Sequence, residues 1–190
     1  WGKDNYGVYE LVPLRRKDVE LAANKWDVNP GAFIREIKGK NAEPLAIRPV
    51  TLDFLLGEYK DSGNLPKKQR DLYKKGCLKL CEEPSVTRRE TKKAGQLEPD
   101  QRLLIAEKLA AYQLFGKYTG FFVGYGMGKA SSGELTVVDI VGDAGKEEKN
   151  SLSVSRENVR EVLSMTSLFC GSEKTRRWLH RTYAEFLSAQ

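Results

Sequence analysis

From residue 15 to about residue 118, apolar positions recur every three or four residues, the spacing of helices that bury one face. The first helix begins at Asp18-Val19-Glu20-Leu21-Ala22-Ala23. Asn29-Pro30 reads as an N-cap followed by proline in the first turn, where its missing N–H costs no hydrogen bond. Phe33, Ile34 and Ile37 then share a face. Pro49 opens a third helix, with Leu52, Leu55, Leu56 and Tyr59 at i, i+3, i+4 and i+7, and Gly63 and Pro66 end it. Residues 68–82 predict a fourth, with Tyr73, Cys77, Leu80 and Cys81 turned inward. Residues 84–97 are polar and charged and read as a loop. Pro99 starts a long fifth helix through Leu103, Leu104, Ala106, Leu109, Ala110 and Phe115, whose apolar face is wide enough for a central position.

The pattern differs at both ends. Residues 6–14 alternate loosely, are rich in β-formers and predict a short strand closed by Pro13. No strand follows for a hundred residues, so its expected partner lies outside this chain. After Gly116 comes the short apolar run Phe121-Phe122-Val123, then a crowd of glycines. Residues 135–141 fit a strand and a short helix equally. Residues 142–151 read as a charged loop, and Ser155 caps a helix bearing Val159, Val162 and Leu163. Leu168-Phe169 and Arg177-Trp178-Leu179-His180 predict two short strands around a Gly171 turn. Thr182 and Glu185 have the spacing of a capping box, and Tyr183, Phe186 and Leu187 give the last helix its apolar face. Helices, a two-strand ribbon and a further helix predict a winged helix. The expected fold is therefore mainly α, a helical bundle followed by a winged-helix domain with a short β-ribbon. Its expected parts are residues 1–14 as the last strand of an upstream domain, 15–118 as the helical domain and 119–190 as the winged helix. The start without methionine and the last helix running to Gln190 suggest a piece of a longer protein.

Composition narrows the functional classes. The chain is 40% hydrophobic and 31% charged, with a mean hydropathy of −0.52, which argues against wholesale disorder. No stretch approaches the roughly 18 uninterrupted apolar residues of a membrane helix, and the first residues lack the plan of a signal peptide. Three cysteines, an odd number without framework spacing, point to a reducing, cytoplasmic setting. The net charge of +6 admits an anionic partner without demanding one.

Four constellations bear on chemistry. The run Gly124-Tyr125-Gly126-Met127-Gly128-Lys129-Ala130 misses the Walker A pattern: Val123 holds the first glycine position and Ala130 the hydroxyl position. It reads as a loop. Cys77 and Cys81 stand at i and i+4, but structural zinc takes four ligands and only Cys170 and His180 remain, so no metal is expected on this chain. Basic clusters at Lys67-Lys68-Arg70, Lys74-Lys75, Arg88-Arg89, Lys92-Lys93 and Arg176-Arg177 interleave with carboxylates and read as solvated surface rather than a nucleic-acid face. His180, the one histidine, reads on composition as a packing or hydrogen-bonding residue.

Several segments in order carry a resemblance. Tyr9-Glu10-Leu11-Val12-Pro13-Leu14 with Asp18-Val19 comes first, then Ile47-Arg48-Pro49-Val50-Thr51-Leu52. Leu72-Tyr73-Lys74-Lys75-Gly76-Cys77 through Cys81-Glu82-Glu83 and Gln101-Arg102-Leu103-Leu104-Ile105-Ala106 follow. Trp178-Leu179-His180-Arg181-Thr182-Tyr183-Ala184-Glu185-Phe186-Leu187 closes the series. Together they resemble the NACHT and related STAND signal-transduction ATPases, particularly bacterial antiviral members akin to NOD-like receptors. The resemblance implies that residues 15–118 are the helical lid and that an upstream P-loop domain of the same protein holds ATP or ADP. It assigns nucleotide contacts to Pro49, packed near the adenine, and His180, on the β-phosphate of ADP. It further implies an ADP-bound inactive state and a homo-oligomeric active one. Walker A and Walker B segments are not in this sequence, so the chain alone is not expected to hydrolyse ATP. The alternative is a free-standing winged-helix module that binds nucleic acid.

Overall fold

The computed structural model describes residues 12–82, 95–124, 130–141 and 154–190. The expectations for Tyr6–Leu11, for 84–94 with its arginine and lysine pairs, for Tyr125–Lys129 of the glycine run and for 142–151 lie outside them. Nine helices and four strands of three or four residues make the described chain mainly α. The chain divides into two compact units between Leu65 and Pro66, inside the stretch expected as one helical domain.

The first unit is helical where described. Helices α1 (Arg16–Lys25) and α2 (Pro30–Gly39) pack together, and a short α3 (Glu43–Ala46) leads into α4 (Pro49–Ser62). Asn29 Oδ1 accepts the Ala32 N–H at 2.9 Å, so the expected cap forms, with Pro30 at the first helical position. Ala23, Phe33, Leu45, Leu55 and Leu56 are fully buried, and the Tyr59 ring meets Phe33 edge-on at 5.3 Å. The periodic positions read in the sequence are thus the core. Helix α3 has no apolar period of its own to announce it. It is held by Thr51, a buried residue of α4 whose hydroxyl donates to the Leu45 carbonyl. Gly63, at φ 71, ends α4 in the left-handed region that glycine tolerates best.

The second unit is built around α6 (Pro99–Gly116), which packs against α5 (Gln69–Cys81), α8 (Arg156–Met165) and α9 (Arg181–Leu187). Strand β1 (Gly120–Phe122) follows α6, β2 (Glu134–Thr136) runs directly into α7 (Val137–Val141), and β3 (Phe169–Gly171) and β4 (Thr175–Trp178) form a hairpin. The sheet order is β2-β1-β4-β3, with β1 parallel to β2 and antiparallel to β4. Helix, strand, two helices and a hairpin whose second strand pairs with the first is the connectivity of a winged helix; β2 is an added edge strand. Phe121, Phe169 and Trp178 share one sheet face, with ring centres 4.3–6.4 Å apart.

Four local readings change. The ribbon of two strands is a sheet of four, because Phe121 and Leu135 find partners that adjacency in sequence cannot reveal. The segment 135–141 is both strand and helix: β2 ends at Thr136, whose hydroxyl and N–H exchange hydrogen bonds with Asp139 to start α7. Leu104 and Phe115 continue the apolar period of α6 yet stand exposed, Phe115 at 79%. The capping box at Thr182 and Glu185 does not form. Helix α9 starts two residues earlier than that box requires, His180 caps it, and Glu185 pairs with Arg181 at 2.7 Å.

Candidate functional site

Pro49 is the first residue of α4, after Arg48 in extended conformation. The ring is exposed, and its fixed φ suits a first turn. The Arg48 carbonyl accepts the Leu52 N–H at 2.8 Å, closing that turn. Proline here shapes the start of a helix and presents an apolar surface beside it. The Arg48 Nε is buried without a hydrogen-bond partner among the described residues.

His180 is half-buried in the second unit. Its backbone is extended, and its Nδ1 accepts the Thr182 N–H at 3.2 Å, satisfying one of the orphan donors of α9. The Tyr183 ring lies 5.9 Å away, centre to centre. An accepting Nδ1 puts the proton of the neutral ring on Nε2. The cap therefore fixes the tautomer and leaves Nε2–H as a hydrogen-bond donor. Pro49 belongs to the first unit and His180 to the second.

Cys77 and Cys81 line the buried side of α5, as their spacing indicates. Burial pushes the Cys77 thiol up to about 12 and raises that of Cys81 as well. Both stay protonated and neither is a nucleophile at neutral pH. Cys170 is exposed on the edge strand β3. Among the described residues no three His, Cys, Asp or Glu gather where a metal ion could be held. None of their helices is long and apolar enough to cross a membrane.

One charged cluster is not apparent from the sequence. Arg102, only 3% exposed, sits on the buried face of α6 and donates Nε–H to Glu161 Oε1 at 3.0 Å and a second N–H to the Cys81 carbonyl at 3.0 Å. Glu161, from α8, also accepts the backbone N–H groups of Gln96 and Leu97 at 2.8 and 3.0 Å. One carboxylate thus ties α8 to α6 and to the segment entering α6. An arginine inside an apolar helical run signals such a pair, but its partner lies 59 residues away. Comparison with protein-family models, with curated proteins and with solved structures gives no match.

Proposed function

We propose that this chain is the helical lid and winged-helix part of a STAND ATPase of the NACHT type, which senses nucleotide bound by an upstream P-loop domain. The support is the segment order Ile47–Leu52, Leu72–Cys77, Gln101–Ala106 and Trp178–Leu187. The observation that carries the reading is the state of His180, held by the cap bond in a form that offers Nε2–H. A phosphate oxygen accepts from such a donor. If the phosphate is present in only one conformation, the bond works as a latch, since a ligand shifts an equilibrium only by its differential contacts. Pro49 is the proposed apolar shelf for the base. The proposed protein is cytoplasmic, rests with ADP and assembles into a homo-oligomer on activation, in bacterial antiviral defence.

The test uses the longer reading frame. Sequence upstream of Trp1 is expected to encode a Walker A loop and then a Walker B strand. In that protein, His180→Leu removes a charge-assisted bond of about 1.5–3 kcal/mol, roughly a tenfold to hundredfold shift toward the open state. The expected result is oligomer on size-exclusion chromatography without a trigger and with ADP loaded. A monomer with full ADP occupancy would defeat the latch.

A second reading, a winged-helix module that binds nucleic acid, draws support from the β1-β4-β3 order. Arg156 and Lys174 are exposed there, beside Glu157 and Glu173. Duplex DNA binding that weakens steeply with added salt would favour this reading.

A further inference from the structure

We infer that the second unit carries a binding site for a small organic phosphate, an anion with an aromatic body of nucleotide size. The site is a cavity of about 360 Å³, of small-ligand dimensions, between the end of α6, the approach to β1, the end of β4 and the start of α9. Three cations line it, Lys117, Arg177 and Arg181, and no carboxylate among the described residues does. Tyr118 and Trp178 are among the lining residues, Tyr118 part-exposed and Trp178 buried.

Two of the three charges are uncompensated among the described residues. Neither Lys117 nor Arg177 has an ion-pair partner among the described residues. Arg181 pairs with Glu185, but both are largely in water, where such a pair holds its partners weakly. The positions are also built. Lys117 ends α6 at φ 58, a conformation for which glycine is the usual choice, although Gly116 stands next to it. A non-glycine residue kept in that region at a cavity rim is where a functional constraint is expected. A Cβ at Gly120 would lie 3.3 Å from Arg177 Cγ and 3.0 Å from the Arg176 carbonyl oxygen. The glycine therefore leaves the space in which the Arg177 stem lies. Two residues of the lining, Gln113 and Trp178, bury Oε1 and Nε1 without a hydrogen-bond partner among the described residues. Three cations select phosphate, and the part-exposed ring of Tyr118 offers a planar body a contact that a bare anion does not make.

This inference needs only the second unit and stands apart from the function proposed above. It is tested by calorimetric titration of the 190-residue chain with AMP, inorganic pyrophosphate and adenosine. The chain has no Walker A loop to bind them elsewhere. AMP is expected to saturate, with pyrophosphate and adenosine each weaker. Lys117→Gly and Arg177→Gln should each weaken AMP about tenfold, the size of one lost charge-assisted bond. Lys117→Gly suits the backbone, so its thermal midpoint should hold or rise while binding falls. Lys38→Gln, an exposed lysine of the first unit, should bind as wild type. Absence of saturation would overturn the site. So would equal losses in Lys38→Gln, which indicate diffuse charge, or unchanged binding in Lys117→Gly. Pyrophosphate as tight as AMP would overturn the aromatic selection.

Discussion

At the scale of single residues, the three cysteines separate by burial. The thiolate is the reactive form, and Cys77 and Cys81 are held protonated between α5 and its neighbours, whereas Cys170 meets solvent on β3. Brief iodoacetamide treatment of the native chain at pH 8 is therefore expected to alkylate Cys170 alone, and all three in denaturant, as read by peptide mass spectrometry. Fast modification of Cys77 in the native chain would mean that α5 is not packed as described. Gly171 is a second residue-scale requirement. It has φ 126, and a Cβ there would overlap the Thr175 carbonyl oxygen, so the hairpin turn admits no side chain.

Between elements, the junction of α6 with α8 depends on one buried ion pair. The pair is satisfied on both sides: Arg102 also donates to the Cys81 carbonyl, and Glu161 accepts two backbone N–H groups. Breaking a buried pair is costly because the surviving charge has lost both water and partner. Glu161→Gln is expected to destabilise the chain by about 3 kcal/mol in urea unfolding. The double variant Arg102→Met, Glu161→Gln should recover part of this, since no charge is then stranded. A loss below about 1 kcal/mol in the single variant would show that Arg102 finds water or another acceptor. Gly95 belongs to the same junction. At φ 91, any Cβ on this residue would overlap Glu161 Oε1, so the carboxylate approaches the backbone only because glycine is there.

For the whole chain, the relevant fact is the division at Leu65 and Pro66. The second unit has its own core, with Tyr183, Phe121, Leu109, Leu163 and Leu168 fully buried. A core of that kind sustains independent folding in a domain of this size. The fragment 66–190 is expected to unfold in one cooperative transition and to give a dispersed amide spectrum. A collapsed spectrum without a transition would show that the unit draws stability from the first. The proposed phosphate site lies within this fragment and should survive the cut.

Helix positions are legible in the sequence because the forces that place them are short-ranged. Asn29-Pro30, Pro49, Pro99 and Ser155 each start a helix where the pattern puts one, since a cap or a missing N–H acts within a turn. The buried apolar positions of α2 and α4 follow from period alone, whereas buried Thr51 does not. Other features are decided only when distant segments meet. Phe115 keeps the helical period but stands exposed. Residues 134–136 become a strand because β1 offers an open edge. Thr182 has the spacing of a cap, yet His180, in extended backbone, is the residue whose side chain takes the cap. Lys117, Arg177 and Arg181 are ordinary surface cations in sequence and share a cavity only in the fold. Periodicity and caps are local properties of the chain. Strand pairing, the choice of which apolar residue is covered and the gathering of charges are set by contacts between residues far apart in it.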